Sequence, residues 1–389
     1  MSRLEYADRI KTLAPYPFAA IDKAREKAKA EGRDIISLGI GDPDLPTPDF
    51  IVRAMQKATE DPATHRYPDY AGRADFREAA ARFLHARFGL QFNPDSEIVA
   101  LIGSKEGIAH IPLAFVNPGD FVLCPDPGYP VYSVATSFAG GIVHTMPLLP
   151  DLNFTPNLEA IADDVAAGAK MMFLNYPNNP TGAVATREFL AEAVAYCKAN
   201  EILLVHDCAY SEMAFGQAKP PSIFEIDGAK DVAVEMHSLS KTFNMTGWRI
   251  GFAVGSAHHV GGLGKIKTNV DSGAFDAIQI AAIEALNRYD DPAVTDNYKI
   301  YGRRRRRCEE ILDKMLIKYL KSDATFYLWF KTPTAETSAD FAARILQKTG
   351  VVLTPGSAFG GGGEGWMRIA LTVPEQRLVE AMERVATEL

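Results

Sequence analysis

The 389-residue chain is poor in cysteine, has no long apolar run and carries no surplus of positive charge. Cys124, Cys197, Cys208 and Cys308 are widely separated with no CxxC pair, so neither a zinc site nor a disulfide framework is indicated and reduced thiols are the plain reading. No apolar stretch approaches the roughly 18 residues of a membrane span, and the polar start Met1-Ser2-Arg3-Leu4-Glu5 lacks a signal-peptide pattern. A cytoplasmic protein without a membrane partner is expected. A net charge of −8 disfavours nucleic acid, whose backbone is bound by clustered positive charge. The consecutive arginines at 303–307 oppose that balance, but Glu309, Glu310 and Asp313 follow at once. Consecutive helical residues point around a helix rather than along one face, so a solvated or intersubunit face is expected for the run. What the chain does have is core: 47% of it is hydrophobic, and its length suits two or three domain-sized units.

Short apolar runs at 97–102, 121–124, 142–146, 171–174 and 202–205 alternate with helical stretches such as 74–88, 105–115 and 187–200. Strands alternating with helices imply an α/β fold with a mostly parallel central sheet covered on both faces. Ligands gather beyond the carboxyl ends of such strands, where Asn175, Asn179 and Asp207 fall. Residues 35–42 form a short strand ending in glycines. A dinucleotide fingerprint needs a third glycine opening a helix at once, and Pro43, Pro46 and Pro48 intervene, which excludes it. Gly39 and Gly41 are then either close-approach backbone near a ligand or tight-turn residues. Thr47-Pro48-Asp49 reads as an N-cap and helix start. Ser104 reads as the cap of a second helix, whose free N–H groups make a ready anion site. Beyond the acidic, proline-bearing stretch at 289–292 the chain crosses into a smaller α+β unit, with strands at 325–331 and 366–371, a helix at 340–349 between them and a mobile tetraglycine loop at 360–363. The expected division is an arm and part of the small domain at 1–46, with a helix at 16–30, a large domain at 47–287 and the rest of the small domain at 288–389.

The stretch Ser238-Leu239-Ser240-Lys241-Thr242-Phe243-Asn244-Met245-Thr246-Gly247-Trp248-Arg249 joins two apolar runs and reads as a loop between buried strands. A lysine there pairs with an anion, loses its proton or reacts, and a desolvated amine can form a Schiff base with a carbonyl. Two hydroxyls before Lys241 and Arg249 after it suit donors gathered on a phosphate, and an aldehyde that carries a phosphate is pyridoxal 5'-phosphate. The plainer alternative is a solvated loop with a surface arginine. A carboxylate beside the pyridine nitrogen would keep it protonated as an electron sink, and Asp207 at a strand end is the candidate, with a turn or cap residue as the alternative. Arg368, alone in an apolar strand, needs an anionic partner such as a carboxylate.

Asn175-Tyr176-Pro177-Asn178-Asn179-Pro180-Thr181-Gly182, His206-Asp207-Cys208-Ala209-Tyr210 and residues 238–251 resemble three ordered blocks of the class I/II aminotransferases, in the aspartate-aminotransferase fold family of pyridoxal phosphate enzymes. Residues 103–110, 125–130 and 242–248 are similar to the LL-diaminopimelate aminotransferase branch. The resemblance implies the type I fold and a ping-pong exchange of an amino group between an amino acid and a 2-oxo acid, with LL-diaminopimelate and 2-oxoglutarate as the pair in lysine biosynthesis. Aspartate, alanine or another amino acid, or a cysteine-conjugate β-lyase reaction on the same site, are the alternatives. It places Lys241 on the cofactor aldehyde, Tyr210 and Asn179 on the ring oxygen, Tyr129 across the ring, and Ser104, Lys105, Ser238, Ser240 and Arg249 around the phosphate. Arg368 would receive the substrate α-carboxylate, with Tyr16, Gly41 and Lys105 toward the distal group together with the partner subunit's residues near 269–272. Tyr67 would reach the phosphate in the neighbouring subunit of a homodimer, whereas the sequence by itself favours buried packing for it.

Overall fold

The structure, a computed structural model, describes residues 4–11, 13, 23, 25, 26, 28–216 and 219–388. The expected helix at 16–30 and Tyr16 lie outside the described residues or only partly within them.

β1 (Ile36–Ser37) is followed by the helices Asp49–Thr59 and Ala74–Phe88. The central sheet then collects β2 (Ile98–Leu101), β3 (Phe121–Asp126), β4 (Ile142–Pro147), β5 (Ala169–Asn175), β6 (Leu203–Asp207), β7 (Ala233–Ser238) and β8 (Gly251–Gly255) in the order β2-β8-β7-β6-β5-β3-β4. Only β8 runs against its neighbours; β7, β6, β5, β3 and β4 pair in parallel. The central strands β2, β5, β6, β7 and β8 are buried along their length apart from the exposed Lys170 near the start of β5 and the half-buried Ser238 at the end of β7, as a sheet covered on both faces requires. One face packs on the helices Ser104–Phe115 and Ala257–Val270, with Ile108, Ile111 and Leu263 in that core. Another core joins Phe76, Phe83, Phe252 and Ala281 beneath the helices Ala74–Phe88 and Asp276–Asn287.

The long helix Pro292–Lys314 begins at the acidic stretch, where Asp291 accepts the Ala293 N–H at 2.9 Å and Pro292 occupies the first turn. It leads to β9 (Tyr327–Lys331), the helix Ser338–Thr349, β10 (Val351–Val352), β11 (Thr354–Pro355), β12 (Trp366–Ala370) and the helix Glu375–Ala386. β11, β12 and β9 form an antiparallel sheet, and β10 pairs in parallel with β1, so the start of the chain is tied to its end.

Several local expectations are corrected. The arginine run is a solvated face only in part: Arg303, Arg306 and Arg307 are exposed, whereas Arg304 and Arg305 are buried. Arg304 grips Asp44 with both terminal nitrogens at 2.7 and 2.9 Å, and Arg305 donates to the Ala324 and Tyr327 carbonyls. Helical geometry spreads five neighbours around the axis, so some must face the interior. Tyr67 is not buried packing; it is 89% exposed. Thr47 caps no helix but donates to the Asn244 carbonyl at 2.6 Å, and Ser104 is the first helical residue rather than the cap. The tetraglycine loop is pinned, with the Gly362 N–H donating to Asp126 Oδ1 at 2.9 Å. No helix among the described residues is long and apolar enough to cross a membrane, and the four cysteines are free and buried.

Candidate active site

A cavity of about 390 Å³ opens beyond the carboxyl ends of β5, β6 and β7. Asn175 ends β5 and Asp207 ends β6, paired side by side, with the Asn175 amide donating to the Asp207 carbonyl at 2.8 Å. Ser238 ends β7, and a single helical turn, Leu239–Thr242, then presents Ser240 and Lys241. The Ser238 hydroxyl accepts the Ser240 N–H at 3.2 Å, which turns the chain sharply enough to aim Lys241 inward.

Lys241 Nζ donates to the Gly41 carbonyl at 3.0 Å and stands 5.6 Å from the Phe326 ring centroid. Burial depresses its pKa to about 8; Asp42 works against that shift, while Arg368 and Arg249 add to it. The free amine is therefore accessible near neutral pH. Gly41 has no room for a side chain, because a Cβ would lie 2.0 Å from the Tyr327 hydroxyl. Gly39 offers its carbonyl to Arg368 and to the Thr354 hydroxyl, each at 2.7 Å. The GxG segment is thus close-approach backbone.

Asp207 is buried, and burial pushes its carboxyl up to about 6 against the bond from Tyr132 and the fields of His206 and His237. Tyr132 donates to Oδ2 at 2.8 Å, while the buried Oδ1 has no hydrogen-bond partner. Beneath it, Glu235 lies between His206 Nδ1 at 2.9 Å and His237 Nε2 at 2.7 Å and accepts from Ser222 and Ile223. Burial alone would raise the Glu235 carboxyl, but the two histidines hold it well below the usual range.

On the opposite wall Arg368, buried on β12, donates to Asn179 Oδ1 at 2.8 Å and stacks between the rings of Tyr327 and Phe359, 4.2 and 4.7 Å from their centroids. Asn179 is fixed in turn by its N–H on Asn175 Oδ1 at 2.7 Å. At the rim the helix Ser104–Phe115 points its N-terminus at the cavity. Gly103, with φ +97°, leaves space that Arg249 fills: a Cβ would be 2.3 Å from its Nη2. Arg249 Nη1 also reaches Ser240 Oγ at 3.5 Å and the Thr246 carbonyl at 2.8 Å. Lys105 is exposed, its ammonium 5.7 Å from the centroid of the half-buried Tyr129 ring, and burial of its stem lowers its pKa, with Arg249 adding to the effect.

Of the residues expected at the site, Lys241, Asp207, Tyr210, Ser104, Lys105, Tyr129, Asn179, Ser238, Ser240, Arg249, Gly41 and Arg368 all border this one cavity. Tyr67 does not border it and faces outward. Sequence reasoning missed Tyr132 and Tyr327, and it brought Asn175 to this rim without giving it a role. Tyr132 could have been found from its place three residues beyond Tyr129, whose carbonyl accepts its N–H.

The residues around the cavity fit a phosphorylated pyridine aldehyde. Asp207 Oδ1 lacks a donor, the glycine-lined helix start and Arg249 form an anion cradle, and a low-pKa amine stands between them. A mostly parallel, doubly covered sheet gathers these groups at its carboxyl edge around Lys241. The chain belongs to the aminotransferase class I and II family, whose model matches residues 33–385. It is 52% identical to an LL-diaminopimelate aminotransferase of Aquifex aeolicus over 98% of both chains. It is 53% identical to one from Maridesulfovibrio salexigens over 99% of this chain and 100% of that one. Among solved structures it is similar to substrate-bound BacF of Bacillus subtilis, with a TM-score of 0.94 and 38% identity over 100% of this chain and 98% of that one.

Proposed function

We propose that the chain is a pyridoxal 5'-phosphate-dependent aminotransferase that moves the amino group of LL-diaminopimelate to or from 2-oxoglutarate, as a cytoplasmic homodimer. Residues 47–287 would form the cofactor-binding domain, and 1–46 with 288–389 the smaller one. The observation that carries the chemistry is the buried, partnerless Oδ1 of Asp207 across the cavity from a lysine whose pKa is depressed to about 8. Support for the substrate is the full-length similarity to proteins named for it, at 52% and 53% identity.

When bound, pyridoxal 5'-phosphate supplies an aldehyde that condenses with amines and a ring that accepts the electron pair left by a broken C–H bond. The chain's residues do the rest. Ser104, Ser238, Ser240 and Arg249 would hold the phosphate, with Lys105 contributing its backbone and Tyr129 covering one ring face. Asp207, held by Tyr132, would keep a proton at the ring nitrogen. Tyr210 and Asn179 would donate to the ring oxygen. Arg368, already oriented by Asn179 and the Gly39 carbonyl, would clamp the substrate α-carboxylate with parallel hydrogen bonds. That clamp would turn the substrate Cα–H toward Lys241 Nζ, which as a free amine would take and hold that proton; a positioned base contributes about 10²–10⁴-fold. The exposed Tyr67, with Tyr16 and the partner subunit's stretch at 269–272, would complete the site in the dimer.

The test is a half-reaction followed by absorbance. Protein loaded with pyridoxal 5'-phosphate should lose its visible band on adding LL-diaminopimelate and regain it with 2-oxoglutarate. Loss with aspartate but not with LL-diaminopimelate defeats the substrate assignment. Loss with neither, nor with glutamate or alanine, defeats the aminotransferase reading.

A further inference from the structure

Tyr327 opens β9, is 3% exposed and pairs with Ala370, two residues beyond Arg368 on β12. Its hydroxyl is 3.1 Å from that of Tyr210, and the two rings meet edge-on with centroids 5.7 Å apart. Its face lies against the Arg368 guanidinium, Cζ 4.2 Å from the centroid. On a third side its hydroxyl abuts Gly41, whose carbonyl accepts Lys241 Nζ. One phenol therefore touches Tyr210 and Arg368 directly and Lys241 through Gly41, and it borders the cavity itself.

Two facing phenols share a single hydrogen bond, so only one of them can be its donor. If Tyr327 donates, the Tyr210 proton is directed into the cavity. If Tyr210 donates, the cavity meets only its lone pairs. A cation against the face of a phenol draws electron density from the ring and strengthens its O–H as a donor, and hydrogen bonds in series reinforce one another where water is scarce. The Arg368 charge thus favours the arrangement in which Tyr327 donates. A carboxylate bound to Arg368 offsets that charge and weakens the preference.

We propose that Tyr327 is a positioning residue that aims the Tyr210 proton into the cavity and ties its donor strength to whether Arg368 holds a carboxylate. The proposal rests on the aminotransferase reading of this cavity and deepens it: the occupied carboxylate site would report to the cofactor's ring oxygen through two phenols, alongside the direct route through Asn179.

Tyr327→Phe keeps the ring, its carbons beside Gly41 and its place under Arg368, and removes only the hydroxyl, the atom nearest Gly41. Wild type and variant are loaded with pyridoxal 5'-phosphate, and the visible band is titrated with pH, with and without saturating succinate, a carboxylate that has no amino group to react. A weaker donor leaves more negative charge on the ring oxygen, which holds the neighbouring proton more tightly. The variant's midpoint without succinate is therefore expected to rise by roughly 0.3–1 pH unit, and its further rise with succinate to be smaller than the wild type's. In a Tyr210→Phe background, adding Tyr327→Phe should change neither midpoint, because the path is already cut. Midpoints in Tyr327→Phe indistinguishable from wild type overturn the proposal, as does an equal shift in the Tyr210→Phe background. A wild-type protein that develops no visible band with pyridoxal 5'-phosphate overturns the aminotransferase reading and this proposal together, whereas a normally titrating wild type with an unchanged variant removes only the role of Tyr327.

Discussion

Tyr132 donates its hydroxyl to Asp207 Oδ2 at 2.8 Å, and the second carboxylate oxygen, equally buried, is left without a hydrogen bond. A half-satisfied buried carboxylate costs stability in the protein without its cofactor. Burial pushes Asp207 up to about 6, so between roughly pH 4 and 6 the folded chain binds more protons than the unfolded one. Its contribution to stability falls as pH rises through that window and remains unfavourable above it. Asp207→Asn is expected to stabilise the cofactor-free protein at pH 8 by about 2 kcal/mol, with the gain shrinking toward pH 4, while transamination drops sharply. Thermal melts across pH check this, and a cofactor-free Asp207→Asn protein less stable than wild type at pH 8 would refute it.

Lys241 should govern the capture of the cofactor in a pH-dependent way. Its depressed pKa means that the amine is neutral above about pH 8, so the rate at which cofactor-free protein takes up pyridoxal 5'-phosphate should climb with a midpoint there. Asp42 raises that pKa, and Asp42→Asn should move the midpoint downward. Lys241→Ala should lose the covalent attachment, seen as an unlabelled peptide after borohydride reduction. A midpoint that moves upward in Asp42→Asn contradicts the assignment of the field.

Gly103→Ala tests the anion cradle. The new Cβ meets Arg249 Nη2 at 2.3 Å in a backbone region that favours glycine, with φ +97°. Displacing the guanidinium should weaken pyridoxal 5'-phosphate binding by about tenfold or more, as expected for losing a charge-assisted hydrogen bond. Equilibrium dialysis of the cofactor measures it, and unchanged affinity would place the phosphate elsewhere.

The ion pair between the buried Arg304 and Asp44 should matter to stability. Arg304→Met leaves Asp44 without its two-pronged partner and the Leu371 carbonyl without a donor. The expected loss is about 2 kcal/mol, less than for a fully buried pair because the Asp44 side chain keeps some access to water. Denaturant titration reads it, and adding Asp44→Asn should recover part of the loss rather than deepen it.

The sheet was legible because its signal is local. Runs such as those at 121–124 and 202–205 are β-branched or apolar throughout, and burial on both faces leaves no polar alternation to confuse them. Thr47 and Ser104 were misjudged because capping depends on where the first helical turn begins, and tertiary bonds set that: the Thr47 hydroxyl goes to Asn244, nearly 200 residues away. Arg304 and Arg305 within the arginine run were misjudged for a related reason. Composition marks it as charged, but only the docking of the helix Pro292–Lys314 shows which two side chains turn toward buried carbonyls and Asp44.

By itself the chain determined which residues end each strand, and since parallel strands share one carboxyl edge, Asn175, Asp207 and Ser238 had to gather on one rim with Lys241 just beyond. What folding alone decided was how segments far apart in sequence meet across that rim: Gly41 against Lys241, Asn179 against Arg368, Tyr132 under Asp207 and Tyr327 against Tyr210. Periodicity and composition report a residue's own environment, whereas a hydrogen bond between residues 75 or 189 positions apart exists only once two packed bodies bring their side chains within reach.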